Sequence, residues 1–115
     1  MVKAIYSSNS KGLRDWLVQH VSAFIMALYT ITLVLYLVFN PKVSYSEWHS
    51  LFECSLVKLS TIIVFFLLLY HAWIGIWTVV TDYVKCSAIR LTLYTAVLLL
   101  LMALFFALLF ILWGV

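Results

Sequence analysis

The stretch LSTIIVFFLLLYHAWIGIWTVV, Leu59 to Val80, decides how this chain must be housed. It is apolar over a length sufficient to cross about 30 Å of hydrocarbon, which takes roughly 20 helical residues. Val18 to Phe39 and Leu91 to Trp113 meet the same test. At 115 residues, 67% hydrophobic and 10% charged, with a mean hydropathy of +1.17, the chain holds more apolar surface than a small water-soluble core can hide. A transmembrane barrel would need strands that alternate apolar and polar residues, and Val97 to Leu104 shows no alternation. The sequence therefore predicts an all-α membrane protein, one domain over residues 1–115 with three transmembrane helices.

The first span follows lysines and an arginine, as a signal peptide would, but its apolar run is too long for an h-region and it ends at Phe39-Asn40-Pro41. It is expected to be retained. Met1 to Ser10 is polar and serine-rich, and is expected to be an irregular lead-in. Lys11-Gly12-Leu13-Arg14-Asp15-Trp16 then brings positive charge and an interfacial aromatic to the membrane surface. Gln19, His20 and Ser22 follow just inside the span, where a solvated or snorkelling imidazole is the plainer reading of His20. Asn40-Pro41 stops the helix, because proline lacks the N–H and disfavours helix in the residue before it. Ser44 to Glu47 has the S-x-x-E form of a capping box, so a surface helix is predicted from near Tyr45.

Within the central stretch, extended to Lys85, His71, Gly75, Thr78 and Asp82 fall at helical offsets 0, 4, 7 and 11 and share one stripe. Gly75 lets a flat ligand or a neighbouring helix approach the backbone one turn from His71. Tyr83 is the next residue round from Asp82, about 17 Å along the axis from His71. The third span is predicted to be scaffold, with Thr92 and Thr95 bonding carbonyls one turn back. Cys54 and Cys86 are too few and too far apart for a metal site, and three spans place them on opposite sides of the membrane.

Five of the seven basic residues (Lys3, Lys11, Arg14, Lys85 and Arg90) lie in the N-terminal segment and the second connection. The positive-inside rule then predicts a cytoplasmic N-terminus and an outward C-terminus. An ionisable residue in mid-span is a functional candidate by default. For His71 the options are a bridge to a neighbouring backbone carbonyl, a proton relay, or an axial ligand to haem iron. A relay would ordinarily show further ionisable residues at similar depth. A bis-imidazole haem would need a second histidine, and His20, near the end of its helix, and His49, in the outer connection, are both expected to lie at other depths. The second ligand would then come from another subunit, with this chain as part of a heteromeric bundle.

Nearly the whole chain resembles the smaller, D-type membrane-anchor subunit of bacterial succinate dehydrogenase (succinate:quinone oxidoreductase, respiratory complex II). The resemblance is carried by His71-Ala72-Trp73-Ile74-Gly75-Ile76-Trp77, then Thr81-Asp82-Tyr83-Val84-Lys85 and Arg90-Leu91. Gly12, Asp15 to Gln19, Ser22-Ala23 and Trp113-Gly114-Val115 add to it. It implies that His71 is an axial ligand of haem b and that the larger cytochrome b anchor subunit supplies the other. It further implies that Tyr83 hydrogen-bonds ubiquinone and that Asp82 orders that site. The family commonly has an arginine near the haem propionates after the position of Gln19, where this chain has His20, so His20 and Arg14 are both candidates for the propionate vicinity.

The implied function is to anchor the flavoprotein and iron–sulfur subunits in the bacterial inner membrane for the citric acid cycle and respiratory electron transfer. The implied partners are those subunits and membrane lipid, not nucleic acid. With no flavin motif and no cysteine cluster, the chain is not expected to be catalytic alone. The competing readings are a small transporter or channel subunit, with His71 and Asp82 lining a path, and the anchor of another oxidoreductase such as fumarate reductase.

Overall fold

A computed structural model describes residues 2–114, and the side chains of residues 10–114. Four helices follow in chain order: α1 (Val2–Phe39), α2 (Tyr45–Glu53), α3 (Ser55–Tyr83) and α4 (Ser87–Trp113). Three of them, over Ser10–Phe39, Ser55–Tyr83 and Ser87–Trp113, are long and apolar enough to cross a membrane. The expected irregular lead-in is corrected, because α1 begins at Val2 and runs without a break into the first span. The polarity of Ser7 to Ser10 lowered the hydropathy without supplying a helix stop. The second connection is also shorter than its sequence suggested. Only Val84 to Cys86 is extended between α3 and α4, and Ser87 to Arg90 already belongs to α4.

The first connection forms as its sequence predicts. Asn40 donates to the Tyr36 carbonyl through its backbone N–H (3.0 Å) and its side-chain amide (2.8 Å), closing α1 just before Pro41. Glu47 N–H donates to Ser44 Oγ while Ser44 N–H donates to Glu47 Oε2, the two halves of a capping box that starts α2. The Ser44 hydroxyl also donates to Glu47 Oε2 at 2.8 Å, and the two bonds received by the carboxylate favour its ionised form and hold Glu47 below its ordinary pKa of 4.5, the Ser44 backbone N–H first and its hydroxyl second.

α3 is the centre: α1 packs on it, α4 packs on it, and α2 touches its beginning. Tyr29 and Thr61 hydrogen-bond between α1 and α3. Near the other end of α3, Tyr94 of α4 stacks on Trp77 (centroids 4.4 Å apart, planes 14° apart) and hydrogen-bonds Thr81 at 2.6 Å. Thr92 and Thr95 return their hydroxyls to Ala88 O and Leu91 O, each at 2.9 Å, as expected of polar side chains in a lipid-facing helix. Among the described residues the buried side chains are only Ile74, Val80, Leu112 and Ser22. A layer this thin leaves most of the apolar surface uncovered by the chain itself.

Candidate functional site

His71 is held at the crossing of α1 and α3. Its Nδ1 lies 3.0 Å from Ser22 Oγ, and Ser22 is 1% exposed. The Ser22 hydroxyl also donates to Gln19 O at 3.1 Å, one turn back on α1. Gln19 returns to α3 through its side chain, donating from Nε2 to the His71 carbonyl at 3.1 Å. Gln19 and Ser22 are three residues apart and share a face of α1, so two cross-helix bonds converge on one residue of α3. Gln19 Oε1 is buried and has no partner among the described residues, which leaves an acceptor for a group supplied from outside the chain.

The expectation that His20 and His71 sit at different depths is corrected. α1 extends well before Val18, so Gln19 to Ser22 lie about 13 to 18 Å in from Ser10, level with His71. What separates the two histidines is direction. His20 stands about 200° round the helix from Ser22, on an exposed face, with its Nδ1 2.8 Å from Trp16 O and its ring 4.2 Å from the Trp16 ring.

Arg14 is exposed and makes a long 3.9 Å contact with Asp15. It also lines a cleft of about 220 Å³ with Lys11, Asp15, Tyr70, Trp73 and Trp77, where Lys11 Nζ lies 5.7 Å from the Trp77 ring centroid. Of the two sequence candidates for an anion beside His71, Arg14 shares a cleft with Tyr70, the neighbour of His71, whereas His20 is engaged with Trp16.

The rest of the polar stripe divides in two. A Cβ built on Gly75 would meet nothing within 4 Å, so the space one turn from His71 is left open by this chain. The Thr78 hydroxyl is satisfied by Ile74 O at 2.9 Å. At the end of α3, Asp82 and Tyr83 are exposed, Tyr83 by 80%, and neither forms a hydrogen bond among the described residues. Sequence reasoning noticed Gln19 and Ser22 but gave them no role. Their spacing of three in an otherwise apolar run was the available signal.

These residues suit one half of a flat-cofactor site. An imidazole is fixed from behind by a buried hydroxyl, open space lies beside it, and an unused acceptor is close by. No group of three or more metal-ligating side chains occurs among the described residues, so any iron at His71 would need donors from elsewhere. The fold defines a polytopic membrane protein with a polar crossing of α1 and α3 at His71. Residues 3–110 match the family described as succinate dehydrogenase/fumarate reductase transmembrane subunit, and the chain belongs to that family. A Coxiella burnetii protein named succinate dehydrogenase hydrophobic membrane anchor subunit is 44% identical over 98 residues, 85% of each chain. Proteins of the same name from Rickettsia bellii and Rickettsia felis are each 32% identical, covering 84% and 81% of this chain and 78% of their own lengths.

Proposed function

We propose that this chain is the small membrane-anchor subunit of a succinate:quinone oxidoreductase, giving His71 to a haem b shared with a larger anchor subunit and Tyr83 to a quinone site. One observation carries this reading: an imidazole at the α1–α3 crossing bonded on its Nδ1 side by Ser22, with open space at Gly75 one turn along the same helix. His20 is turned to the opposite side of α1 from Ser22, and His49 lies on α2 beyond the other end of α1, so the second axial ligand belongs to the partner subunit. Arg14 is the better placed cation for a haem propionate, and the open acceptor Gln19 Oε1 would take a hydrogen bond from the partner or from water. Haem b, when bound, supplies a one-electron centre between an iron–sulfur donor and quinone.

Tyr83 ends α3 with a free phenolic O–H, a donor that can reach a quinone carbonyl at the membrane surface. As negative charge develops on that oxygen the bond strengthens. Asp82 orders the site through a basic group of the neighbouring subunit. The flavoprotein and iron–sulfur subunits dock on this same face, on the side of the basic N-terminal segment and the α3–α4 connection, and the lysines and arginines there support a cytoplasmic orientation. Labelling of intact cells with a membrane-impermeant thiol reagent tests the orientation. A cysteine added after Val115 should react and Cys86 should not, and the reverse pattern would refute it.

Isolation of the native complex through this chain tests the function. Flavoprotein and iron–sulfur subunits should co-purify with a low-spin b-type haem, and His71→Leu should remove or convert that haem signal. An unchanged spectrum and midpoint potential in His71→Leu would exclude the ligand role.

A further inference from the structure

We propose that Ser22 is a positioning residue that holds His71 in the Nδ1–H tautomer and so makes Nε2 the atom that faces a metal; this rests on the reading of His71 as a haem ligand. A serine hydroxyl has one proton and two lone pairs. Ser22 Oγ has two polar neighbours, the Gln19 carbonyl at 3.1 Å and His71 Nδ1 at 3.0 Å. A carbonyl can only accept. If the single hydroxyl proton goes to Gln19 O, Oγ has a lone pair to receive a proton from Nδ1, and both contacts are hydrogen bonds. If the proton instead points at Nδ1, the 3.1 Å contact sets one oxygen against another with no proton between them. With Ser22 1% exposed, no solvent relieves that repulsion, and an unmade bond there is costly. The arrangement that satisfies both contacts puts the proton on Nδ1.

The Gln19 side chain makes this assignment rigid. Its bond to the His71 carbonyl ties the backbone of the histidine to the helix that carries the serine, so ring and acceptor cannot slide apart. Neutral imidazole ligates through the nitrogen that bears no proton, and an acceptor on the other nitrogen raises the basicity of the ligand. Ser22 therefore acts on two properties of the site: which nitrogen is available, and how strongly it donates.

The test uses the intact complex carrying Ser22→Ala, Ser22→Thr or His71→Leu. Haem content, the g-values of the low-spin electron paramagnetic resonance signal and the haem midpoint potential are measured in each. Ser22→Ala should retain haem but shift the g-values and move the potential in the positive direction, because an imidazole without its acceptor donates less to iron and favours the ferric state less. Ser22→Thr, which keeps the hydroxyl, should restore both, an outcome that a purely packing role for Ser22 does not predict. Unaltered g-values and potential in Ser22→Ala, together with loss of the signal in His71→Leu, would overturn the role of Ser22 while leaving His71 as the ligand. An unaltered signal in His71→Leu would overturn the ligand reading and this proposal with it. Should Ser22→Ala not assemble, Ser22→Cys fills the same space with a weaker acceptor: a shift in the same direction supports the proposal and wild-type values overturn it.

Discussion

The two ends of the polar stripe on α3 are finished to different degrees. At His71 the chain supplies its own supports, a buried serine and a glutamine from α1, both within hydrogen-bond distance. At Asp82 and Tyr83 it supplies none, and both side chains stand exposed without hydrogen bonds among the described residues. A ligand atom must be aimed before it binds, because an iron site tolerates little angular error, and the subunit that owns the histidine is the natural source of that aim. On the proposed reading a quinone headgroup at Tyr83 would exchange with the membrane, and its pocket could be closed by several chains. The contrast predicts that damage near His71 will appear in the spectrum of the complex, and damage at Tyr83 in its turnover.

The largest effect should come from filling the space beside His71. Gly75→Ala adds a methyl that meets nothing of this chain and should be tolerated, whereas Gly75→Leu should abolish the low-spin signal while the chain still inserts in the membrane. Retention of a normal spectrum by the leucine variant would mean that Gly75 faces lipid and that the cofactor space lies on another side of α3.

Next in size is Tyr83→Phe. It keeps the ring and removes the donor, and should lower quinone reductase turnover by a factor on the order of ten or more, as expected for losing roughly 1.5 to 3 kcal/mol from a bond to a charged acceptor. Succinate oxidation with an acceptor that bypasses quinone should stay near normal, as should the haem spectrum. Equal survival of both activities would reduce Tyr83 to an interfacial anchor.

A smaller effect is expected of Tyr94→Phe, which keeps the stack on Trp77 but loses the bond to Thr81. Bonds of this kind within membranes average about 0.6 kcal/mol, so the thermal midpoint of the complex should fall slightly with no spectral change. A spectral change would show that the α3–α4 contact reaches the histidine end.

The smallest effect concerns α2. Because Ser44 holds the Glu47 pKa below 4.5, the capping box contributes its full stabilisation above that pH and loses it as pH falls through the lowered value. The protection factors of the Tyr45 to Glu53 amides, taken against the intrinsic exchange rate at each pH, should fall only on acidification past that window in the native chain, and at all pH values in Glu47→Ala. Neither change should touch haem or turnover.

What was legible in the sequence follows from what is local. Span existence depends on length and hydropathy, the α1 stop on Asn40-Pro41, and the α2 start on four residues, and all three appear in the structure. The start of α1 was misread because polar residues within a helix look like a boundary when no tertiary contact is in view. The pairing of Ser22 with His71 was not legible because it depends on the register at which α1 crosses α3. Helices that are apolar on nearly every side give no periodic signal to mark which face turns inward. The same blindness misplaced His20, whose separation from His71 is one of angle about α1 rather than of depth.

α3 runs unbroken from Ser55 to Tyr83, and among the described residues there is no cis peptide and no positive φ. It works as a ruler. The spacing between His71 and Tyr83 is set by helical rise alone, and their relative bearing by helical rotation. One residue inserted between them would move Tyr83 by only about 1.5 Å but swing it by about 100°, turning the phenol to another face of the bundle while every contact at His71 stayed intact. Where the side chains between them neither pack on a neighbouring helix nor border the space at Gly75, their identity is freer to vary than their number, and substitution there should be accepted far more readily than insertion or deletion.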